Sequence, residues 1–304
     1  MQDTKPSGVY GTPPAELAEV PVGAIQFSPL IPGSGRLEGQ EDGSLSLMIM
    51  LAPPGTVERR YTIALALRAL APDASLTVLA PKDKGGSRIA KELKGFGCAV
   101  AETSRRHHRI CTVARPGLPV GLEDALAEGR PRVDEALGLW TWPGVFSWNR
   151  LDPGSALLEQ NLPRFSGRGA DFGCGIGVLA RAILASPQVE HLTMIDIDRR
   201  AVEMAERNVD DPRAQVRWAD IRSGTGLKGL DFVVMNPPFH DGGVEDQSLG
   251  QTFIRRSAEA LRPGGSLWLV ANRHLPYEAV LKGLFKRVTP KIEASGYKIY
   301  EALR

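Results

Sequence analysis

The ten residues Asp231-Phe-Val-Val-Met-Asn-Pro-Pro-Phe-His240 constrain the fold of this chain more than any other stretch. Phe232 to Met235 is an apolar run of strand length, and the two prolines that follow Asn236 cannot continue a sheet. The chain must therefore leave the sheet at Asn236. Ligands of open α/β sheets bind at this carboxyl edge. The asparagine amide and the prolyl carbonyls offer hydrogen-bond acceptors for an exocyclic NH2 group, and Phe239 offers a face for a planar base.

A glycine-rich loop precedes this stretch by about 60 residues. Gly169 to Leu184 has the pattern of a strand, a loop with glycines at 173, 175 and 177, and a helix. Glycines let a backbone approach a ligand closely, and the N–H groups at the start of the helix can face that ligand. The Gly175-x-Gly177-x-x-Ala180 spacing also fits the dinucleotide fingerprint, so a nicotinamide cofactor remains open at this point.

Two acidic residues end the next two predicted strands. Asp196 follows an apolar strand, where a carboxylate can accept both hydroxyls of a ribose. Asp198 is better explained as the N-cap of a helix over 199–208. Asp220 ends a strand over 216–220 and is placed to accept an adenine amino group. Four successive strands thus end in a glycine loop, an acid, an acid and Asn-Pro-Pro-Phe.

Composition indicates a globular protein without a membrane segment. The 304 residues include 42% hydrophobic and 24% charged side chains, and no apolar run approaches the roughly 18 residues that span a bilayer. The N-terminus lacks the features of a signal peptide. The three cysteines have no metal-ligand spacing, and their odd number is typical of a reducing cytoplasm. We therefore expect a cytoplasmic protein with no metal.

Positive charge concentrates between Pro81 and Arg115. This segment has nine Lys and Arg against three acids, and its peak is Ser104-Arg-Arg-His-His-Arg-Ile110. Such a run is often only a solvated face. Arg105 and Arg106 are the candidates for contacting a phosphate backbone if the run is a nucleic-acid footprint.

The two ends of the chain resemble each other. Residues 69–104 align with residues 260–295 without a gap, with ten identities over 36 positions. Both segments follow a strand, an x-Pro-Pro turn and a helix. Shared helix–strand pattern alone could produce such a match, but we favour an internal duplication. In the first copy Ala52 and Gly55 stand where Asn236 and Phe239 stand in the second, and there is no glycine-rich loop. We expect this copy to lack the first strands and the chemistry.

The motifs together resemble a known enzyme class. Asp171-Phe-Gly-Cys-Gly-Ile-Gly177, Asp196, Asp220 and Asn236-Pro-Pro-Phe239 look like the successive motifs of class I S-adenosylmethionine-dependent methyltransferases. The resemblance implies an α/β fold with a Rossmann-like, seven-stranded sheet whose last strand is antiparallel. Segments 266–271, 289–294 and 297–302 would supply its last three strands. An Asn-Pro-Pro-aromatic turn after the fourth strand has no use in a nicotinamide enzyme, so S-adenosyl-L-methionine is the expected cofactor.

Further motifs narrow the resemblance. Gly144-Val-Phe-Ser147, Leu151-Asp-Pro-Gly-Ser155 and Val270-Ala-Asn-Arg-His-Leu-Pro-Tyr277 make the chain similar to ribosomal RNA guanine-N2 methyltransferases, most closely to the family acting on small-subunit (16S) rRNA. Members of that family carry two methyltransferase-like halves, of which the first is degenerate. The resemblance implies three parts, namely a flexible lead-in over 1–44, a degenerate domain over 45–135 for scaffolding or RNA recognition, and a catalytic domain over 136–304.

The resemblance also implies the site residues. The catalytic residues would be Asn236, Pro237, Pro238 and Phe239. The cofactor-binding residues would be Asp171, Gly173, Cys174, Gly175, Gly177, Asp196, Ile197, Asp220, Ile221 and Asn236. The substrate-binding residues would be Phe146, Phe239, His240, Arg105 and Arg106.

The expected reaction is methyl transfer to a guanine N2 amine of 16S rRNA, with ribosomal RNA or the small ribosomal subunit as partner. Three alternatives stay open at this stage. An Asn-Pro-Pro-aromatic turn also serves methylation of a glutamine amide in proteins. The target could instead be an adenine N6 or a guanine N2 in another RNA. A non-catalytic RNA-binding factor that retained the fold is the alternative that is not an enzyme.

Overall fold

The computed structural model describes residues 5–238, 240–241, 244–245 and 247–304, without the side chains of 240–247. The chain forms two compact units, residues 1–131 and residues 132–304. The elements of the first unit are β1 Ser7–Tyr10, β2 Ile25–Phe27, β3 Leu45–Leu51, α1 Thr56–Ala69, β4 Leu70–Pro81, α2 Ser87–Gly95, β5 Ala101–Arg105, β6 His108–Ala114 and α3 Leu122–Gly129.

The first unit is a six-stranded sheet in the order β2-β1-β3-β4-β6-β5. Strands β1 to β4 pair in parallel, and β6 runs antiparallel to both β4 and β5. The sequence predicted a flexible lead-in over 1–44 with one short strand near 24–27. That strand is β2, but β1 lies between β2 and β3 inside the sheet. The expectation that the first copy had lost its initial strands is therefore wrong.

The elements of the second unit are β7 Arg132–Asp134, β8 Leu139–Thr141, α4 Pro153–Glu159, β9 Gly167–Phe172, α5 Val178–Leu184, β10 Val189–Asp196, α6 Arg199–Asn208, β11 Ala214–Trp218, β12 Leu230–Met235, β13 His240–Asp241, β14 Val244–Glu245, α7 Gln247–Ala260, β15 Leu261–Asn272, α8 Glu278–Leu284, β16 Arg287–Ala294 and β17 Tyr297–Leu303. Its main sheet has seven strands in the order β11-β10-β9-β12-β15-β17-β16. Six of them run in the same direction, and β17 is antiparallel to both of its neighbours. This is the predicted fold class.

Sequence pattern explains the central strands. The apolar run of β12 is buried on both faces, as helices on the two sides of a parallel sheet require. One core cluster packs Phe172, Met235 and Ile254 on one side, and the other packs Leu179, Met194 and Val234. Beyond β12 the prolines leave no N–H for a ladder, so the strand ends at Met235 as predicted.

The two units repeat one topology. When the seven strands of the second sheet are numbered 1 to 7 in chain order, their order across the sheet is 3-2-1-4-5-7-6. When each strand of the first sheet takes the number of its counterpart, the order is 2-1-4-5-7-6. Among the described residues the first sheet has no counterpart of β11. Helix α1 and strand β4 each begin and end 191 residues before α7 and β15. Equal length at a constant offset is what duplication of one unit predicts, and shared helix–strand pattern alone would not require it.

The described residues contain neither a membrane-spanning helix nor a cluster of metal-ligating side chains. No helix in the part of the chain that the structure describes is both long and apolar enough to cross a bilayer. Within the same residues, His, Cys, Asp and Glu side chains nowhere gather in a group of three or more that could hold a metal ion.

Candidate functional site

The carboxyl ends of four parallel strands of the second unit lie side by side. In the register of the sheet, Phe172 at the end of β9 is opposite both Ile195 of β10 and Met235 of β12. Asp196 is opposite Trp218 at the end of β11. The residues that follow these strands are therefore brought to one edge. This edge gathers the glycine loop, Asp196, Asp220 and Asn236, as the sequence predicted from four strand ends.

The glycine loop turns away from β9 through three residues with positive φ. The φ angles of Gly173, Gly175 and Gly177 are 75°, 53° and 91°, a region that side chains with a Cβ rarely enter. A Cβ on Gly177 would lie 2.8 Å from Val209 Cγ2, so this glycine permits close packing. A Cβ on Gly175 would meet nothing within 4 Å. Gly175 thus borders open space where a ligand can approach the backbone.

Asp171 is a buried carboxylate without a hydrogen bond. Its side chain is fully buried on β9, and neither oxygen has a partner among the described residues. Burial, with a smaller contribution from the nearby Asp196 carboxylate, raises the pKa of Asp171 to about 8. Burying an unpaired ionised carboxylate is costly, so the side chain stays protonated unless a cation is beside it. The site is thus prepared for a positively charged ligand.

Asp196 organises the backbone around the loop. Its Oδ2 accepts a hydrogen bond from the Gly175 N–H at 2.8 Å, and its Oδ1 accepts one from the Asp198 N–H at 2.8 Å. Burial raises the pKa of Asp196 to about 6, although these backbone hydrogen bonds act against the rise. Each carboxylate oxygen has two lone pairs, so both can still accept a hydroxyl hydrogen from a ligand.

Asp220 lies just beyond the end of its strand and not, as was predicted, at the end of it. Strand β11 ends at Trp218, two residues before the predicted end, and Asp220 caps the short 3-10 helix Ile221–Ser223. Its carboxylate also holds the Arg222 guanidinium, with Arg222 Nη2 at 2.9 Å from Oδ2. Ile221 is buried beside it. Asp220 therefore retains only part of its capacity for a ligand amine, because Arg222 occupies both of its oxygens.

Asn236 is half-buried at the end of β12, and its amide has a defined orientation. Nδ2 donates to Asp152 Oδ2 at 2.8 Å and to Ser155 Oγ at 2.9 Å. Both amide hydrogens are used in this way. Oδ1 has no place on that side, because it would face a carboxylate. The side chain therefore presents Oδ1 as an acceptor away from α4, and it does not point into the core.

The residues after Asn236 are described in part. Pro237 is buried and Pro238 is half-buried. The predictions for Phe239 and for the side chain of His240 lie outside the described residues.

Three other predicted substrate residues are described. Phe146 is 60% exposed, in the loop that leads from β8 to α4. Arg105 and Arg106 belong to the first unit, at the tip of the β5–β6 hairpin, and both are exposed. Arg106 forms an ion pair with Glu16 at 2.7 Å. Arg106 and His107 both have positive φ, at 44° and 60°, in a turn that glycine and asparagine usually form.

Sequence reasoning missed the residues that hold the site together. Asp152 was recognised as part of the Leu151-Asp-Pro-Gly-Ser155 motif, and in the structure it is the N-cap of α4, accepting the Ser155 N–H at 2.7 Å. Its contact with Asn236, across 84 residues of chain, had no local signal. Asn208 at the end of α6 was also missed. It donates to the Ile176 carbonyl of the glycine loop at 2.9 Å and bonds the Trp140 backbone of β8 in both directions.

This sheet order, with a glycine loop after the first strand, an acid after the second and Asn-Pro-Pro after the fourth, defines a class I methyltransferase. A family model described as "Methyltransferase small domain" matches residues 136–301. The chain belongs to the ribosomal RNA small subunit methyltransferase C family, because relatives of that name are 32% identical to it over 85% and 92% of its length.

Curated relatives support this assignment, and a solved structure supports the fold. The enzyme of that name from Shewanella amazonensis is 32% identical over 268 residues, covering 85% of this chain and 77% of the relative. Its namesake from Pseudomonas aeruginosa is 32% identical over 288 residues, covering 92% and 86%. The solved 16S rRNA N2 G1207 methyltransferase of T. thermophilus, in complex with AdoMet and guanosine, has the same fold. It superposes with a TM-score of 0.78 at 22% identity, covering 100% of this chain and 89% of that one.

Proposed function

We propose that this chain transfers a methyl group from S-adenosyl-L-methionine to the exocyclic N2 amine of a guanine in 16S ribosomal RNA. Family membership supports the reaction class and the rRNA substrate. The observation that carries the chemistry is the orientation of Asn236, whose amide NH2 group is held by Asp152 and Ser155. A fixed acceptor at the end of β12 suits a substrate that brings N–H donors, as an exocyclic amine does.

The residues of the strand ends fit the cofactor. S-adenosylmethionine carries an ammonium and a sulfonium, and a positive charge nearby would allow the unpaired buried Asp171 side chain to ionise. The backbone of the loop that contains Cys174 borders the open space at Gly175. Asp196 with Ile197 would hold the ribose hydroxyls, and Asp220 with Ile221 the adenine. The residues assigned to the cofactor are Asp171, Gly173, Cys174, Gly175, Gly177, Asp196, Ile197, Asp220 and Ile221.

Asn236 and Pro237 act on the amine. The nitrogen of a guanine amine is a poor nucleophile because its lone pair is delocalised into the ring. Asn236 Oδ1 and the Pro237 carbonyl would accept its two N–H bonds and turn the nitrogen toward sp3, which frees the lone pair. When bound, S-adenosylmethionine supplies a methyl group activated by a sulfonium leaving group. No strong base is required, so positioning and preorganised acceptors supply the rate. Pro238 would keep this turn rigid.

Substrate recognition would use aromatic and basic side chains. Phe239 would stack on the base, with Phe146 and His240 lining its pocket, since single-stranded or flipped bases are recognised by stacking. Phe146 supports this assignment because a phenylalanine 60% exposed is available to a ligand. Arg105 and Arg106 would contact the RNA backbone, and the turn conformation at Arg106 places their charge at a hairpin tip. The reaction would take place in the cytoplasm, where ribosomal subunits assemble.

The test is transfer of labelled methyl from S-adenosylmethionine to isolated 16S rRNA and to intact small subunits, followed by nucleoside analysis. We expect label in N2-methylguanosine, and the position G1207 of the T. thermophilus substrate is the first one to map. Large-subunit rRNA and a glutamine-containing peptide are the controls. Label in N6-methyladenosine or in a glutamine amide would replace the proposed substrate, and no transfer to any of these acceptors would refute the function.

A further inference from the structure

The contact between α4 and Asn236 has a consequence beyond the fold. An asparagine amide has two orientations of almost the same shape, which present either Oδ1 or NH2 to a ligand. Only the first can accept a hydrogen bond from an amine. We propose that Asp152 and Ser155 are positioning residues that lock the Asn236 amide with Oδ1 toward the substrate, so that the site selects a hydrogen-bond donor and polarises it. This inference rests on the proposed function.

The lock is made of two acceptors on one side of the amide. Asp152 Oδ2 lies 2.8 Å from Asn236 Nδ2, and Ser155 Oγ lies 2.9 Å from the same atom. A reversed amide would lose the hydrogen bond to Asp152 and place Oδ1 against that carboxylate oxygen, although the Ser155 hydroxyl could still donate to Oδ1. Hydrogen bonds to ionised groups are stronger than neutral ones, and a buried polar atom left without a partner is costly. The reversed orientation is therefore essentially unpopulated.

The lock itself is held rigidly. Asp152 Oδ2 also accepts the Ser155 N–H at 2.7 Å, so one oxygen ties the start of α4 to Asn236. Gly154 packs closely against Tyr297, since a Cβ at 154 would lie 2.8 Å from Tyr297 Cε1. Leu158 on the same helix is fully buried in the core. The acceptors thus belong to a packed element, which is the condition for a group that must hold its geometry during turnover.

A carboxylate behind the amide also favours the reaction. The amine nitrogen gains a bond to the methyl carbon as the carbon–sulfur bond breaks, and it carries positive charge until one proton leaves to water. The Asp152 carboxylate polarises the Asn236 amide, and connected hydrogen bonds strengthen one another. Oδ1 therefore becomes a better acceptor as charge develops on the nitrogen. A keto oxygen at the same place would face Oδ1 and be rejected, which explains selection of an amine.

The test separates this role from helix capping. Asp152→Asn removes the charge but keeps a good N-cap residue, and Ser155→Ala removes the hydroxyl. We expect Asp152→Asn to lower kcat by roughly tenfold to a hundredfold and Ser155→Ala by several-fold, by analogy with loss of one preorganised hydrogen bond. Ser155→Thr should recover most of the loss of Ser155→Ala. S-adenosylmethionine affinity and melting temperature should stay near those of the parent protein.

A double-mutant cycle gives the decisive readout. If Asp152 acts through Asn236, then Asp152→Asn combined with Asn236→Ala should be no slower than Asn236→Ala alone. Asp134→Asn is the matched control, because Asp134 caps the β7–β8 turn by accepting two backbone N–H groups and has no contact with Asn236. Equal fold losses for Asp152→Asn in both backgrounds would overturn the proposal. So would a parallel loss of cofactor affinity or folding.

The outcomes also distinguish the inference from the proposed function. If Asn236→Ala itself turns over like the parent, the proposed mechanism fails and the inference fails with it. If Asn236→Ala is slow but Asp152→Asn and Ser155→Ala are both at parent rate, only the inference fails. Should Asp152→Asn not fold, the Ser155→Ala and Ser155→Thr pair in the two Asn236 backgrounds decides alone.

Discussion

The x-Pro-Pro corner occurs in both units, and in the first unit it is closed by a side chain of the protein itself. After β3 the chain reads Ala52-Pro53-Pro54, and after β12 it reads Asn236-Pro-Pro. In the first unit the fully buried Arg59 of α1 fills the corner. Its Nη1 donates to the Pro54 carbonyl at 2.7 Å and to the Pro53 carbonyl at 3.3 Å. Its other nitrogens bind the Glu92 carboxylate at 2.8 and 2.7 Å. The carbonyls that would receive a substrate amine are thus occupied by the protein.

In the first unit the large residue lies on the helix and the small one on the loop. In the second unit the large residue lies on the loop and the small one on the helix. The position 191 residues after Arg59 is Gly250, and the position 191 residues after Gly86 is Tyr277. In the first unit a Cβ on the neighbouring Gly85 would lie 2.0 Å from Arg59 Nη1. In the second unit a Cβ on Gly250 would lie 1.8 Å from the Tyr277 hydroxyl. In each unit a large side chain from one of these two elements packs against a glycine of the other.

The remaining strand ends show the same loss of a site. Gly11 follows β1 as Gly173 follows β9, and both have positive φ, at 70° and 75°. The N–H of Gly11 bonds Phe27 O at 3.0 Å, as that of Gly173 bonds Ile195 O at 2.8 Å. Asp196, however, has Ser28 at its equivalent place, one residue after this carbonyl. The first unit retains the turn but has no carboxylate at this place. The same topology can therefore persist when the residues of the site are lost.

The largest expected effect comes from reopening the closed corner. Arg59→Ala leaves the Glu92 carboxylate, whose side chain is 8% exposed, buried without its cation. Breaking one side of a buried ion pair costs about 3–5 kcal/mol. We expect that loss of unfolding free energy in the first unit. All five tryptophans lie beyond residue 131, so urea titrations followed by far-ultraviolet circular dichroism and by tryptophan fluorescence separate the two units.

The control for Arg59 is an exposed ion pair. Arg273 pairs with Glu293 at 2.7 Å, with side-chain exposures of 70% and 47%. Arg273→Ala should cost less than about 1 kcal/mol. A loss at Arg59 no larger than this would mean that the corner is not held by its ion pair.

The next effect tests the open corner. Asn236→Ala should lower turnover by roughly 10² or more, comparable to loss of one oxyanion-hole donor, and leave cofactor affinity within a few-fold. Steady-state methyl transfer and calorimetric titration with S-adenosylmethionine measure the two quantities. Adding Ala52→Asn to this variant should restore nothing, because Arg59 occupies the carbonyls of the first corner. Turnover of Asn236→Ala within threefold of the parent would contradict the assignment.

A smaller effect tests the exchange of residue sizes. Gly250→Ala should destabilise the second unit by about 1–3 kcal/mol, because the added methyl overlaps the Tyr277 hydroxyl. Adding Tyr277→Phe should recover part of this loss. The matched control is Gly283→Ala in α8, where a Cβ meets nothing within 4 Å, and there we expect a gain of up to about 1 kcal/mol. The same sign for both alanine variants would show that Gly250 is not required for packing.

Local patterns predicted the second sheet and its strand ends. The apolar run before Asn236 and the N-cap Asp198 are both read within a few residues of chain. Strand β1 was missed because its four residues lie between a proline and a glycine, and its place in the sheet comes from pairing with β3. Such pairing is a tertiary effect that overrides weak local preference.

Contacts between distant residues explain the other failures. A helical pattern cannot show that Arg59 is buried, because its partner Glu92 lies 33 residues further on. The same holds for the 84 residues between Asp152 and Asn236. Asp171 is a different case. The motif that contains it was recognised from the sequence, but the sequence did not show that its carboxyl group is buried without a hydrogen-bond partner among the described residues. Residues at a functional site often depart from local sequence patterns. Local patterns therefore locate the site but do not show the distant residues that hold it in place.

The smallest expected effect is the pH dependence of cofactor binding. Burial, and to a lesser degree Asp196, raises the pKa of Asp171 from 3.8 to about 8. At neutral pH the ligand-free side chain is therefore mostly protonated, and a bound cation favours its ionised form. Binding must release this proton, so affinity should rise by up to about tenfold per pH unit until pH is about 8 and then level off. Asp196, whose pKa is about 6, contributes only near and below that value.

Asp171→Asn isolates this contribution. The ammonium of S-adenosylmethionine titrates equally with both proteins, so the difference between their calorimetric affinity profiles from about pH 6 to 8 belongs to Asp171. Folding stability has the opposite pH dependence. The protonated side chain supports the ligand-free fold fully below pH 3.8, and this support is lost as pH rises through about 8. The stability of the parent protein should therefore fall over that range relative to Asp171→Asn. Parallel profiles for the two proteins would mean that Asp171 is not the buried charge that the cofactor neutralises. The first unit has Val9 at the place of Asp171 and Ser28 at the place of Asp196, so it should add no comparable step.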